Sequence, residues 1–388
     1  MSDNIENSVD DSKKNTVDRR NFLRTAGYGA AAVGTLAVAN ACTTETKTEA
    51  PAIQTKKKFE WKMVTTWPKG FPGLGTGAEY LAKIIGEMSD GQLVVKVYGG
   101  NELVPPLESF DAVSKGTAEM GHGAAYYWKG KSEATQFFTA VPFGLNADEM
   151  NGWIYYGGGQ QLWDEVYAPF GVKGFPAGNT GVQMGGWFNK EINSIDDFKG
   201  LKMRMPGLGG DVLKGAGALP VALPGSEIFP SLQSGAIDAT EWVGPYNDLA
   251  FGLYKAAKYY YWPGWHEPGS VLECTVNKKA YEALPKDLQH VIEVACKATN
   301  VDMFGEYTAR NSSALDTLIN THGVSLKRFP DDVLKKLAQI SKDVLSNLAA
   351  KNAENKKVYD SFAKFRSHSI KWNNISEVGY SSARQYLE

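Results

Sequence analysis

Apolar and polar residues along this chain repeat with two different periods, and the switches between them mark out its elements. From Phe59 the run Phe-Glu-Trp-Lys-Met-Val-Thr-Thr66 alternates in the manner of a half-buried strand and predicts one over 59–66. Leu81, Ile84 and Ile85 then recur at helical spacing and predict a helix over 75–88, after which Gln92-Leu-Val-Val-Lys-Val-Tyr98 returns to the strand period. Strand, helix and strand in succession predict a βαβ opening. A second such unit follows, with a helix over 107–116 and a short strand over 118–123 leading into Ala124-Ala-Tyr-Tyr-Trp128.

The pattern resumes after Trp153. It predicts a helix near 158–170, strands over 172–177 and 185–189, a helix start at 194–197, a strand over 201–205, helices over 210–217 and 226–235, and a strand over 236–240. A strand over 271–277 precedes a mostly helical remainder, with helices over 281–284, 288–312, 315–320 and 331–352. Two α/β units side by side are therefore the expected body. The last segment, 355–387, is polar with widely spaced Val358, Phe362, Phe365, Ile370, Trp372 and Ile375. Those side chains need a surface, either the partner subunit of a dimer or the segment's own lobe.

What precedes the body reads as a leader. Asp18-Arg-Arg-Asn-Phe-Leu-Arg24 and the Ala/Gly/Val run over 26–39 form a twin-arginine export signal over 1–42. That run is interrupted by Gly27, Gly29 and Gly34 and is too short to span a bilayer comfortably. Ala39-Asn-Ala-Cys42 reads either as a cleavage site or as an imperfect lipobox with Cys42 acylated. The stretch 43–57 is Thr-, Lys- and Pro-rich and suits a flexible tether. Of the 388 residues, roughly 330 remain, more than one core usually holds, so two lobes are expected.

A formal net charge of -2 argues against nucleic acid as a partner. Cys274 and Cys296 are the cysteines of the body, enough for one disulfide or two free thiols and too few for an iron–sulfur or structural zinc site. The 5 histidines show no metal-ligand spacing, and His122 reads as a core residue.

Candidate chemistry sits at the ends of strand-like runs. Gln183 lies in Thr180-Gly-Val-Gln-Met-Gly-Gly-Trp-Phe188, Arg204 in Leu201-Lys-Met-Arg-Met205, and Glu241 in Ala239-Thr-Glu-Trp-Val-Gly-Pro245. Charged groups inside apolar runs are costly unless they meet partners, so the three suggest one shared polar site for a small acid and a cation. A structural Arg/Glu bridge is the competing reading. Tyr126 and Tyr127 follow a strand end, where loops facing a cleft begin, and are candidate hydrogen-bond donors or cleft wall. Asn179, just before the Gln183 loop, is a further candidate.

From about Lys58 to the C-terminus the order of motifs resembles the solute-binding subunit of a tripartite ATP-independent periplasmic (TRAP) transporter, the DctP-type family. The shared features are Gly-Leu-Lys-Met-Arg204 and Ile228-Phe-Pro-Ser-Leu-Gln-Ser-Gly-Ala-Ile-Asp-Ala239. Asn179-Thr-Gly-Val-Gln-Met-Gly-Gly-Trp-Phe188, Asp238-Ala-Thr-Glu-Trp-Val-Gly-Pro-Tyr246 and Tyr259-Tyr-Tyr-Trp-Pro-Gly-Trp265 are similar to the subgroup that binds 2-oxo acids such as pyruvate. The resemblance implies a two-lobe periplasmic-binding-protein fold of α/β class, with a central cleft and a long C-terminal helix. Expected boundaries are 58–153 with 242–275 for lobe I, 154–241 with 276–350 for lobe II, and 351–388 for a helical extension that serves as a dimer arm in the subgroup.

The resemblance also implies residue roles. Arg204 grips the substrate carboxylate, Gln183 touches ion and ligand, and Glu241 with the Trp242 carbonyl holds the ion. Glu267 follows two aromatics in the subgroup and is a further candidate ion ligand. Here the second aromatic is replaced by His266, and Pro268 stands where a glycine is usual. A guanidinium matches a carboxylate with two parallel charge-assisted hydrogen bonds, and amide and carboxylate oxygens are the ligands a hard cation wants. The acid, Glu241 and Glu267 would bring three negative charges against that of Arg204. Sodium would leave one negative charge and calcium none.

The expected function is capture of a small 2-oxo or 2-hydroxy monocarboxylate with a sodium or calcium ion in the periplasm and delivery to the small and large permease subunits, without catalysis. An exported sensory binding protein and an exported enzyme acting on 2-oxo acids are the rivals. No G-x-G-x-x-G follows a strand and no nucleophile–base pair is convincingly spaced.

Overall fold

The alternating run at Phe59 forms strand β1 (Phe59–Thr65) and is followed in chain order by β2 (Leu93–Tyr98), β3 (Met120–Gly123), β4 (Val172–Asn179), β5 (Gly186–Phe188), β6 (Lys202–Arg204), β7 (Leu219–Val221), β8 (Ala239–Thr240), β9 (Tyr259–Trp262), β10 (Val271–Asn277) and β11 (Ser325–Arg328). The structure, a computed structural model, describes residues 57–387, which belong to one compact unit. The twin-arginine motif, Cys42 and almost all of the expected tether lie outside the described residues.

The strands form two sheets, ordered β2-β1-β3-β10-β4 and β11-β9-β5-β8-β6-β7. In the first, β1 runs parallel to β2 and β3, so both expected opening units are present, while β10 is antiparallel to β3 and β4. Helix Leu74–Met88 presents Ala78, Leu81 and Ile85 at helical spacing, all fully buried with Met63 and Leu93. Burying side chains of this size contributes roughly 1.5–3 kcal/mol each for the larger ones. In the second sheet Phe188, Met203, Ala239 and Tyr261 pack with Phe329, Val333 and Leu337.

Two of the expected lobe assignments are corrected by the pairing. Val172–Asn179, placed in lobe II by the expected boundaries, pairs with β10 in the first sheet. Tyr259–Trp262, placed in lobe I, pairs with β5 and β11 in the second. Periodicity identifies a strand but carries no record of its neighbour, and here the chain changes sheets twice within short loops.

Those loops, 180–185 and 263–270, run alongside each other between the sheets. Thr180 N–H donates to the Ser270 carbonyl at 3.1 Å, Gln183 N–H to the Glu267 carbonyl at 3.1 Å, and Gly185 N–H to the Tyr261 carbonyl at 2.7 Å. Gly264 permits this approach, since a Cβ there would lie 2.1 Å from the Gln183 carbonyl oxygen. Helix Lys286–Asp316 also links the lobes: Ile292 and Cys296 pack beside Phe175, whereas Met303 and Tyr307 join the cluster of Trp187 and Tyr260. It is continuous across the stretch expected to break near 312.

Helices Asp331–Lys351 and Ala353–Ile375 end the body, separated at Asn352, whose Oδ1 accepts from Asn355 N–H at 2.7 Å. Val358 and Phe362 are buried with Phe137, Phe138 and Trp153 of the chain's own core. Further on, Trp372 is 69% and Ile375 75% exposed.

Candidate functional site

Strand order explains why residues far apart in sequence meet. Arg204 ends β6, Glu241 immediately follows the parallel β8, and Arg204 is in register with Thr240. β5 is antiparallel to β8, so the loop that enters it, with Gln183, leaves from the same edge. β9 is antiparallel to β5, so its exit loop, with His266 and Glu267, lies there too. From the first sheet, the turn Ala125–Trp128 after β3 supplies Tyr126 and Tyr127.

The Arg204 guanidinium is fully buried. Its NH1 donates to Glu241 Oε1, its Nε to the Leu223 carbonyl at 3.2 Å and its NH2 to the Tyr127 hydroxyl at 3.3 Å. It lies 5.2 Å from the Trp242 ring centre, and Trp67 and Phe71 pack edge-on against that ring. Burial is the largest single influence and opposes its charge, but Glu241, Tyr127, Tyr126 and Glu267 together outweigh it and hold the pKa above the ordinary value, so the group stays cationic. Burial likewise raises the Tyr126 and Tyr127 hydroxyls, keeping both as donors.

Around this pair the acceptors outnumber their partners. Glu241 Oε2, Gln183 Oε1 and both ring nitrogens of His266 are buried without a hydrogen-bond partner. His266 Nε2 lies 3.5 Å from Glu241 Oε2. One ligating atom each of Glu241, His266 and Glu267 falls within 4.8 Å of the others. Glu267 Oε2 accepts from Ser270 Oγ at 2.5 Å, and Gln183 Nε2 donates to Ser270 Oγ and Thr180 Oγ1, both at 3.2 Å. Burial, and then the Glu241 charge, push the Glu267 carboxyl up to about 7. Buried polar groups of native proteins are normally paired, so this concentration of orphaned atoms marks a place completed by something else. The donor set, carboxylate and amide oxygens from Glu241, Glu267 and Gln183, fits a cation.

Each expected site residue can now be placed. Arg204, Glu241, Gln183, Glu267, Tyr126, Tyr127 and Trp242 all belong to this region of the fold. Asn179 lies beside them: its Oδ1 accepts from Gly181 N–H at 2.8 Å and its Nδ2 lies 3.4 Å from the Gly269 carbonyl, so its amide also links the two crossing loops. His122 is a core residue, accepting from Trp67 Nε1 at 2.8 Å and lying 3.0 Å from the Ala177 carbonyl, and burial lowers its pKa to about 4. The thiols of Cys274 and Cys296 are free and buried.

Ser270 and Asp248 escaped the sequence reading. Asp248 accepts from Trp187 Nε1 at 2.9 Å, the Tyr260 hydroxyl at 2.7 Å and Val243 N–H at 3.2 Å, bracing the backbone just beyond Glu241. An acid in the first turn of a helix is too common to stand out, and Ser270 is visible only once the loops are paired.

Comparison with known proteins agrees with this arrangement. The family described as "Bacterial extracellular solute-binding protein, family 7" (DctP) matches residues 63–352. A monocarboxylate 2-oxoacid-binding periplasmic protein of Nostoc sp. (strain PCC 7120 / SAG 25.82 / UTEX 2576) is 43% identical over 362 residues, spanning 93% of this chain and 97% of that one. A crystal structure of a TRAP periplasmic solute binding protein from Pseudoalteromonas atlantica T6c, with bound sodium and pyruvate, superposes with a TM-score of 0.82 at 42% identity, covering 84% of this chain and 99% of that chain. A second, from Colwellia psychrerythraea with bound calcium and pyruvate, gives 0.82 at 44% identity, covering 84% and 100%. With its motifs, its two-sheet fold and its match over most of its length in agreement, the chain belongs to the DctP family, family 7 of the bacterial extracellular solute-binding proteins.

Proposed function

We propose that this protein is the periplasmic receptor of a TRAP transporter for a small 2-oxo or 2-hydroxy monocarboxylate of the pyruvate kind, bound together with a cation and passed to the small and large membrane subunits without chemical change. The observation that carries the reading is the buried cluster of unpartnered Gln183 Oε1, Glu241 Oε2 and His266 nitrogens beside a cationic Arg204. A group that satisfies them all must offer both negative oxygen and positive charge.

Arg204 pairs with the acid's carboxylate, with Tyr127 and Tyr126 as neutral donors from the other lobe. Gln183, Glu241, Glu267 and the Trp242 carbonyl hold the cation. A cation there supplies the charge that lets a carboxylate and its neighbouring keto or hydroxyl oxygen lie beside two glutamates. Trp242 forms the floor beneath the guanidinium. A solute that touches residues of both lobes stabilises only the closed state, and the paired loops 180–185 and 263–270 are where the lobes hinge.

The binding test is calorimetry on chelator-stripped protein. Pyruvate binds with sodium or calcium present, and acetate, which lacks the second oxygen, binds far more weakly; equal affinity for the two acids would refute the reading. We further propose that the exposed end of the last long helix, with Trp372 and Ile375, docks on a second copy as a homodimer arm. Export is proposed to follow the twin-arginine route, with Cys42 either acylated or lost with the leader. Release of a Cys42→Ser variant from the membrane fraction distinguishes these two fates.

A further inference from the structure

Asn247 is fully buried and is not among the groups that would hold the acid or the cation, yet both ends of its amide are engaged where the lobes meet. Its Nδ2 donates to the Pro72 carbonyl at 2.9 Å, and its Oδ1 accepts from the Tyr307 hydroxyl at 2.6 Å. The two sides of this contact are anchored to different sheets. Asn247 sits in helix Pro245–Phe251, which the neighbouring Asp248 fixes to the second sheet through Trp187 Nε1 and the Tyr260 hydroxyl. Pro72 belongs to the loop after β1, which the first sheet holds through Thr65 Oγ1 donating to the Trp67 carbonyl and Trp67 Nε1 donating to His122, both at 2.8 Å. From the same loop the Phe71 ring lies 4.3 Å, centre to centre, from Phe251 and packs edge-on against Trp242, the ring beneath Arg204. Gly73 leaves room for Tyr307, because a Cβ there would lie 2.7 Å from that ring.

We infer that Asn247 is a positioning residue for solute capture: with Tyr307 it clasps the lobe I loop 67–73 to lobe II in the closed form, and so sets how long the solute is retained without touching it. When the lobes part, the Asn247 amide loses the Pro72 carbonyl, and Phe71 separates from Phe251. The Pro72 carbonyl also accepts from Leu74 N–H at 2.7 Å, so the loop keeps its own shape as the clasp opens. A bond that exists only in the closed state favours that state whichever solute is inside, and apparent affinity scales with the closed fraction. Its loss therefore weakens every solute by one factor and acts mainly on the rate of release. The inference rests on the reading of this protein as a receptor that closes on a 2-oxo or 2-hydroxy acid with sodium or calcium.

The test compares full-length protein, in calcium, with its Asn247→Ala and Tyr307→Phe variants by calorimetry, stopped-flow release and small-angle X-ray scattering, with pyruvate and 2-oxobutyrate as solutes. Asn247→Ala is expected to release either acid about tenfold faster and to bind it about tenfold more weakly, by the same factor for both. Tyr307→Phe keeps the ring against Gly73 and removes only the hydroxyl; it is expected to show the same change at about threefold, and it carries the test if Asn247→Ala does not fold. Without solute the variants scatter as more open particles than the wild type, and with saturating pyruvate the curves coincide. Unchanged release rates in both variants overturn the inference, as does a loss confined to one acid, which would make Asn247 part of the solute wall. Wild-type protein that binds neither acid refutes the receptor reading, and the scattering of the unliganded proteins then judges the clasp alone: equal curves overturn it, and a more open variant supports it.

Discussion

Two buried acidic centres of this protein invite comparison: Glu273 in the first sheet, and the cluster of Glu241, Glu267 and His266 between the sheets. Glu273 is fully buried on β10, and both of its oxygens are used, Oε1 accepting from Trp128 Nε1 at 2.5 Å and Oε2 from the Tyr167 hydroxyl at 2.7 Å. The interlobe cluster is also buried, yet Glu241 Oε2 and both His266 nitrogens are unpartnered. Burial alone therefore does not distinguish a structural acid from a binding acid. What distinguishes them is whether the surrounding protein completes the carboxylate's hydrogen bonding by itself, as it does for Glu273 and does not for Glu241.

The contrast is broken most sharply at Arg204. Removing one partner of a desolvated charge pair costs about 2–5 kcal/mol, so Arg204→Ala should weaken pyruvate binding by at least about thirtyfold in calorimetry, whereas Glu273→Gln leaves it unchanged. Retained pyruvate affinity in Arg204→Ala would erase the distinction. Glu241→Gln comes next: affinity should fall about 10–100-fold, and the dependence on added cation should largely disappear from the thermal shift.

The third effect concerns stability. Burial pushes Glu273 from 4.5 up to about 7, and Asp248 from 3.8 up to about 7. Between those values the folded state holds protons that the unfolded chain has lost. The contribution of these groups to stability is thus greatest below their unfolded values and declines as pH rises towards 7. Glu273→Gln should flatten part of that decline in denaturant unfolding across about pH 5 to 8, an effect on the order of a few kcal/mol; an unchanged slope would mean that Glu273 is ionised in the fold. The smallest effect is at the exposed C-terminal arm. Trp372→Ser should alter monomer stability by no more than about 0.5 kcal/mol while shifting sedimentation towards monomer.

Much of the site was legible before the fold. Arg204, Gln183 and Glu241 stand out because each interrupts an apolar run, whereas Glu267 came only through the resemblance to the 2-oxo-acid-binding subgroup. For Asn179, its position before the Gln183 loop gave no sign of its contacts with the Gly181 N–H and the Gly269 carbonyl. His266 was visible only as a substitution for an aromatic, and its unpartnered nitrogens emerge from packing. The C-terminal helix shows a similar division: its apolar spacing was clear, but only contacts reveal that Val358 and Phe362 face the chain's own Phe137 and Trp153.

By itself the sequence determined the local periods, the opening βαβ units and the residue types able to hold an acid and a cation, because these depend on near neighbours along the chain. Only the tertiary structure decided that β4 belongs to the first sheet and β9 to the second, and that four distant loops leave one sheet edge. Strand pairing joins residues through hydrogen bonds between backbones, which are chemically alike at every position, so no local pattern names the partner.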